Sequence, residues 1–343
     1  MLTPLIGLNT DELRTLLKQE GEPAYRAKQL AEWLYRRGAH RFDEMTNLPE
    51  ALRARLKERY RVGRGHPVTE RVSKDGTVKL LLETCDSARV ETVGLPYHDR
   101  TSCCVSTQVG CPIGCAFCAT GLSGFTRNLN AGEIVDQVLT VQEAMGQKRV
   151  DHVTFMGMGE PLLNYDATLK AVRLLNEEVG IAMRNLTVST VGHVPGIRAL
   201  AREKLQLTLA ISLHAPTDEL RRRLVPTMSK WRVADIIDAC RNYVEQTGRR
   251  VTFEYCLLAG INDSQELAHE LARVLRGLNC HVNLIPFNTV RAVDFRRPRT
   301  ERVREFRTIL DGRGIQATQR LQRGSGIDAA CGQLRRSAIT DNA

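Results

Sequence analysis

The sequence predicts an α/β chain in which a partial barrel of six βα units follows a small helical domain and a short β linker. Three observations lead there. Apolar strand-like runs alternate with amphipathic helical runs beyond residue 97, residues 9–60 keep helical periodicity, and the stretch between them alternates as a β hairpin does. The expected boundaries are 1–62 for the helical domain, 63–96 for the linker, 97–335 for the barrel with a C-terminal segment, and 336–343 for a short flexible tail.

The helical domain opens with an Asn9/Thr10 cap followed by Leu13, Leu16 and Leu17 at helical spacing. Its second helix is expected to turn Tyr25, Ala27, Leu30, Trp33 and Leu34 to a core and Arg26, Lys28, Arg36 and Arg37 to solvent. The third helix starts at Pro49. In the linker, Asp75-Gly76 supplies the residue types of a tight hairpin turn. The barrel strands are expected at Thr101–Ser106, Val150–Met156, Leu186–Thr190, Gln206–Ser212, Val251–Leu257 and His281–Ile285. Strands separated by helices must run parallel, and right-handed crossovers wrap such a series into an open barrel, with a flat doubly wound sheet as the alternative.

Composition narrows the function classes. Hydrophobic residues at 42% and charged residues at 26% exclude a disordered chain. The net charge of +10 favours polyanionic partners, because neutralised phosphates release counterions. No signal peptide and no bilayer-length apolar run is present, so a soluble, cytoplasmic chain with no membrane partner is expected. Ten cysteines in a chain of this size are poorly explained by disulfides, since five of them fall between Cys103 and Cys118. Cys85, Cys240, Cys256 and Cys280 sit mostly in apolar runs and read as small core hydrophobes; His152 and His193 read as structural.

The loop after the first barrel strand reads Cys111-Pro-Ile-Gly-Cys115-Ala-Phe-Cys118, a C-x3-C-x2-C spacing. Three thiolates gathered without a local fourth suit an iron–sulfur cluster with one open iron; zinc with a remote fourth ligand is the other metal such a loop could take. Polar residues then recur at the C-terminal ends of successive strands, where parallel barrels bind their ligands. They are Gly159 and Glu160, Ser189, the run Ser212-Leu213-His214, and Asn288.

With these motifs the chain resembles the RlmN/Cfr family of radical S-adenosylmethionine RNA methyltransferases, and within it the RlmN type most. The resemblance also rests on Pro23-Ala-Tyr-Arg-Ala-Lys-Gln-Leu30, Met45-Thr-Asn-Leu-Pro49, Val90-Glu-Thr92 and Cys104-Val-Ser-Thr-Gln-Val-Gly-Cys111. Met156-Gly-Met-Gly-Glu-Pro-Leu162 and Ile327-Asp-Ala-Ala-Cys331-Gly-Gln-Leu334 complete it. Two departures are visible: Cys103 adds a thiol beside Cys104, and Gly326 stands where the family often has an acidic residue.

The resemblance implies a 4Fe–4S cluster on Cys111, Cys115 and Cys118. It implies S-adenosylmethionine, two molecules per turnover, held by Gly159, Glu160, Ser189, Ser212, Leu213, His214 and Asn288. One molecule methylates Cys331; a second is cleaved to a radical that activates the S-methylcysteine, whose carbon adds to C2 of adenine. Such a route answers a chemical difficulty, since an electron-poor ring carbon does not attack a methyl sulfonium. Glu91 is then implied as the proton acceptor and Cys104 as the thiol that forms a transient disulfide with Cys331. The implied substrates are 23S ribosomal RNA and the anticodon loop of a transfer RNA, with a flavodoxin-like electron donor and a monomeric enzyme. Methylation at C8 in the Cfr manner is the near alternative, and a metal-stabilised RNA-binding protein without activity is the distant one. For the RNA grip, sequence reading offers the basic helical domain together with Arg221, Arg222, Arg223 and the arginines from Arg291 to Arg304.

Overall fold

In a computed structural model of the chain, residues 2–228, 230–290, 293–321, 323–329 and 333 are described. The expected tail 336–343 and the expected methyl carrier Cys331 lie outside them.

One ten-stranded sheet organises the molecule, with its strands in sequence order. They are β1 (His66–Val72), β2 (Val78–Glu83), β3 (Arg89–Pro96), β4 (Thr101–Cys104), β5 (His152–Phe155), β6 (Leu186–Thr190), β7 (Thr208–Ser212), β8 (Val251–Leu257), β9 (Cys280–Pro286) and β10 (Ala317–Gln319). From β4 onward every neighbouring pair is parallel, and each connection carries a helix. The six expected parallel strands are all present. A seventh, β10, is only three residues long, too short for periodicity to reveal.

β1, β2 and β3 are antiparallel, and β3 pairs with β4 through Val93 opposite Cys104 and Gly94 opposite Cys103. The segment after the helical domain therefore extends the barrel sheet itself, and its strands number three where a hairpin predicts two. Side chains alternate faces along a strand, so this register puts Glu91, Val93 and Cys104 on one face of the sheet and Thr92 and Cys103 on the other.

The N-terminal part contains helices Thr10–Gln19, Arg26–Tyr35 and Glu50–Arg59. Asn9 caps the first as expected, and Glu12 makes the cap reciprocal by accepting from Asn9 N. The second turns Ala27, Leu30, Leu34 and Tyr35 inward, but Tyr25 is 56% exposed, because it precedes the helix and does not share its apolar stripe. These helices are not separated from the barrel by a gap in the core, since one apolar cluster contains Leu13, Leu30 and Leu56 together with Val135, Val138 and Phe155. Gly132 permits part of that contact: a Cβ there would sit 2.3 Å from the Ile6 carbonyl oxygen.

Candidate active site

The cluster loop is positioned from two sides. Cys111 N donates to Gly124 O at 2.8 Å, and Ala116 N donates to Leu224 O at 3.0 Å, which joins the loop to the short helix Asp218–Leu224. Cys111, Cys115 and Cys118 line a single cavity that Glu160, Ser189, Ser212 and His214 also line. Burial pushes the Cys111 thiol up to about 12 and the Cys115 thiol well above its ordinary value, and neighbouring cysteine charges add to both shifts. Three clustered thiolates in such a place need a positively charged partner of their own size. An iron–sulfur cluster held on three sulfurs supplies one, so the donor set fits that group. Among the described residues no three His, Cys, Asp or Glu side chains close on the point a single metal ion would occupy.

The loop after β5 brings Glu160 in through two glycines. A Cβ at Gly157 would lie 2.7 Å from the Val105 carbonyl, and Gly159, at φ +106°, would drive one to 2.7 Å from Gln108. Glu160 accepts hydrogen bonds from Val191 N at 2.9 Å and Leu162 N at 3.1 Å. Burial nevertheless raises its carboxyl to about 7, against which these bonds and Arg221 pull down. Ser189 Oγ and Ser212 Oγ lie 3.3 Å apart at the ends of β6 and β7. His214 has φ +60°, an uncommon conformation for a non-glycine residue, and two contacts hold it there. Its Nδ1 accepts from Cys256 N at 3.0 Å and its carbonyl accepts from Asn262 Nδ2 at 2.8 Å. Burial and then Arg221 depress its imidazole to about 3, so it stays neutral.

Not every expected residue shares this cavity. Leu213 is buried in the apolar core, its neighbours in the run facing the cavity instead. Asn288 lines an adjoining cavity with Cys104, Val93 and Arg323. Cys118, Thr120, Met156, Gly157, Ile285 and Arg320 line both, so the two spaces adjoin across a shared wall that includes Cys118 of the cluster loop. Cys104 lines the second space, next to the cluster compartment. Cys103 points away into the core, 3.6 Å from Thr92 Oγ1, with its thiol pushed far up by burial. Glu91 is buried beside Lys79, whose ammonium lies 2.9 Å from Glu91 Oε1. The Glu91 carbonyl accepts from Ser106 Oγ at 2.6 Å, and Ser106 Oγ accepts from Met158 N at 2.9 Å, tying β3 to the glycine loop.

Sequence reading missed Glu254, which lines the cluster cavity from β8, is buried, and accepts from Asn283 Nδ2 at 2.8 Å. A lone carboxylate inside an apolar strand was the available signal. Cys256 is buried in an apolar cluster, as expected, and also lines this cavity, whereas Cys85, expected in the core, is exposed on a turn. Arg221 is also corrected: only 2% exposed, it donates to Val191 O beneath the cluster loop and is unable to track phosphates at the surface. Burial brings its guanidinium down to about 10, partly offset by Cys115, Asp218 and Glu160. His193 is structural, its Nδ1 accepting from Gly196 N at 3.2 Å as a helix cap.

Comparison with known proteins places this geometry. Residues 105–272 match the model of the radical SAM superfamily, and residues 3–62 match the ribosomal RNA large subunit methyltransferase N-terminal domain. A "Probable dual-specificity RNA methyltransferase RlmN" of Gloeobacter violaceus is 53% identical over 100% of this chain and 98% of its own length. Its namesake in Thermosynechococcus vestitus is 48% identical over 98% and 99%. The crystal structure of a radical SAM methyltransferase from Sphaerobacter thermophilus superposes with a TM-score of 0.94 at 51% identity, covering 97% of this chain and 99% of that one. No helix among the described residues is long and apolar enough to cross a membrane. With near-complete coverage at about half identity and both parts of the chain matched separately, this chain belongs to the RlmN family of radical SAM methyltransferases.

Proposed function

We propose that this chain methylates C2 of adenine in 23S ribosomal RNA and in a transfer RNA anticodon loop, working as a cytoplasmic monomer supplied by a flavodoxin-like electron donor. The observation that carries the reading is the adjacency of two spaces, one lined by the cluster cysteines and one by Cys104, with Cys118 in the wall of both. When bound, the cluster and two molecules of S-adenosylmethionine supply a methyl group for Cys331, an electron that releases a 5′-deoxyadenosyl radical, and the sink to which that electron returns.

The chain's own residues do the rest. Cys331 holds the methyl group and gives up one of its hydrogen atoms to the radical, and the resulting carbon bonds to C2. Glu91 takes the proton that C2 loses. The Cys104 thiolate attacks the Cys331 sulfur, so that an S–S bond forms as the C–S bond breaks; the electron pair stays with the carbon, which is protonated to a methyl group. An external thiol reductant then reopens the disulfide.

Reconstituted enzyme given reductant, S-adenosylmethionine and unmodified RNA is expected to yield 5′-deoxyadenosine and C2-methyladenosine together. The C8 isomer would overturn the regiochemistry, and cofactor cleavage without any methylated nucleoside would overturn the function. Cys331→Ala is expected to abolish nucleoside methylation.

Glu160 gives a pH prediction. If its carboxylate receives the cofactor's ammonium, a carboxyl near 7 must release its proton on binding. Affinity should therefore fall as pH drops below 7, by up to about tenfold per unit. Calorimetry in buffers of differing ionisation enthalpy checks this, and binding without proton release at pH 6 would dismiss it.

The exposed basic face of the helical domain supports an RNA grip. Arg37 stacks 4.4 Å over the Trp33 ring and donates to Glu32, while Arg36 stands exposed beside it. Arg36→Glu with Arg37→Glu is expected to weaken RNA binding and to shrink its salt slope by roughly one unit per lost phosphate contact. An unchanged slope in filter-binding titrations would remove this face from the interface.

A further inference from the structure

One hairpin grips the C-terminal segment at two points, and the neighbouring strand end grips it at a third. At the turn between β1 and β2, Asp75 accepts from Thr77 N at 3.1 Å with one oxygen and from Gly324 N at 3.2 Å with the other. Gly324, at φ +62°, lies so close that a Cβ there would fall 2.9 Å from Thr77 Cγ2. Arg323 stacks on the Tyr97 ring at 4.4 Å and donates to Pro96 O at 2.9 Å. Two residues past Thr77, on β2, stands Lys79, buried, with Glu91 Oε1 at 2.9 Å and Asp328 O at 3.1 Å.

A buried ammonium has three donors to satisfy and a charge to balance. Lys79 directs one donor at the carboxylate of Glu91 and another at the main chain three positions before Cys331. One ammonium thus joins, through two contacts, groups that belong to different parts of the chain. We infer that Lys79 is a positioning residue that ties the docking of the Cys331 segment to the placement of Glu91, so that the methyl carrier seats only where the proton acceptor is in register. The inference rests on the roles proposed above for Cys331 and Glu91.

The test compares reconstituted wild-type enzyme with Lys79→Met and Lys79→Arg. Two quantities are read: 5′-deoxyadenosine formed per methyladenosine, and amide hydrogen exchange across residues 324–329. Lys79→Met is expected to raise the ratio by about tenfold, since a misplaced acceptor wastes radical events, and to speed exchange in that segment. Lys79→Arg keeps a cationic donor and should restore most of both. A purely structural role would lower both products in proportion to the folded fraction, and an unchanged ratio would overturn the inference.

Should Lys79→Met fail to fold, Lys79→Met with Glu91→Gln removes both charges of the pair, and exchange alone is read. Unaltered exchange across 324–329 would again overturn it. Wild-type enzyme that makes no methyladenosine, or Cys331→Ala enzyme that still does, would instead overturn the functional reading, while exchange still reports on the tie.

Discussion

Cys104→Ala is expected to leave the protein covalently joined to its RNA, whereas Cys103→Ala is expected to turn over. The two thiols are adjacent in sequence and differ by which face of β4 they occupy. Cys104 lines the cavity that adjoins the cluster compartment, on the face it shares with Glu91 and Val93. Cys103 is fully buried among apolar side chains, and a thiol so desolvated supplies no thiolate for attack on sulfur. On the roles proposed for Cys104 and Cys331, removing the Cys104 sulfur leaves nothing to break the carbon–sulfur bond to Cys331. One adduct per enzyme should therefore accumulate, and multiple turnover should fall by on the order of 10³-fold or more. Cys103→Ala loses only a small buried group, at a cost of about 1 kcal/mol in stability. A denaturing gel followed by mass spectrometry of the RNA-linked peptide decides between them. An adduct with Cys103→Ala and none with Cys104→Ala would reverse the assignment.

That contrast also shows where sequence reading stops. Cys104 could be preferred to Cys103 only by resemblance, because which thiol faces inward depends on the pairing of β3 with β4, and register is a tertiary property. The cluster loop was legible for the opposite reason: its three cysteines lie within eight residues, so local spacing alone brings them together. Strands β4 to β9 were legible from apolar runs alternating with helices. Strand β10 was not, since three residues carry no period and its place is set by pairing with β9. Arg221 read as one of three surface arginines, yet on a helix successive residues point in different directions, and only Arg221 of the three is buried. Lys79 escaped because its role shows only once its partner Glu91 is known, whereas Glu254 did stand out as a lone carboxylate in an apolar strand, without revealing which cavity it lines.

Arg64→Ala is expected to cost about 3–5 kcal/mol of stability, the range for removing one partner of a buried ion pair. The Arg64 side chain is 2% exposed and pairs with Asp136 on the helix Ala131–Ala144. It also donates to Glu143 at 2.9 Å, to Thr140 Oγ1 at 3.2 Å and to Gly38 O at 2.7 Å in the N-terminal part. One guanidinium thereby bolts the helical domain to the first crossover helix of the barrel, and alanine leaves the Asp136 carboxylate buried with no cation beside it among these partners, only Gly65 N at 2.7 Å and Thr140 Oγ1 at 3.5 Å. Burial already holds the Asp136 carboxyl above its ordinary value, and loss of the guanidinium should raise it further. A carboxyl raised in the folded state favours folding at low pH, so the deficit should shrink as pH falls through that raised value and Asp136 takes up a proton. Asp136→Asn in the Arg64→Ala background should recover part of the loss at neutral pH and abolish the pH dependence. Urea unfolding at pH 5 and pH 8 measures both, and a deficit equal at the two pH values would show that lost packing, not the stranded carboxylate, carries the effect.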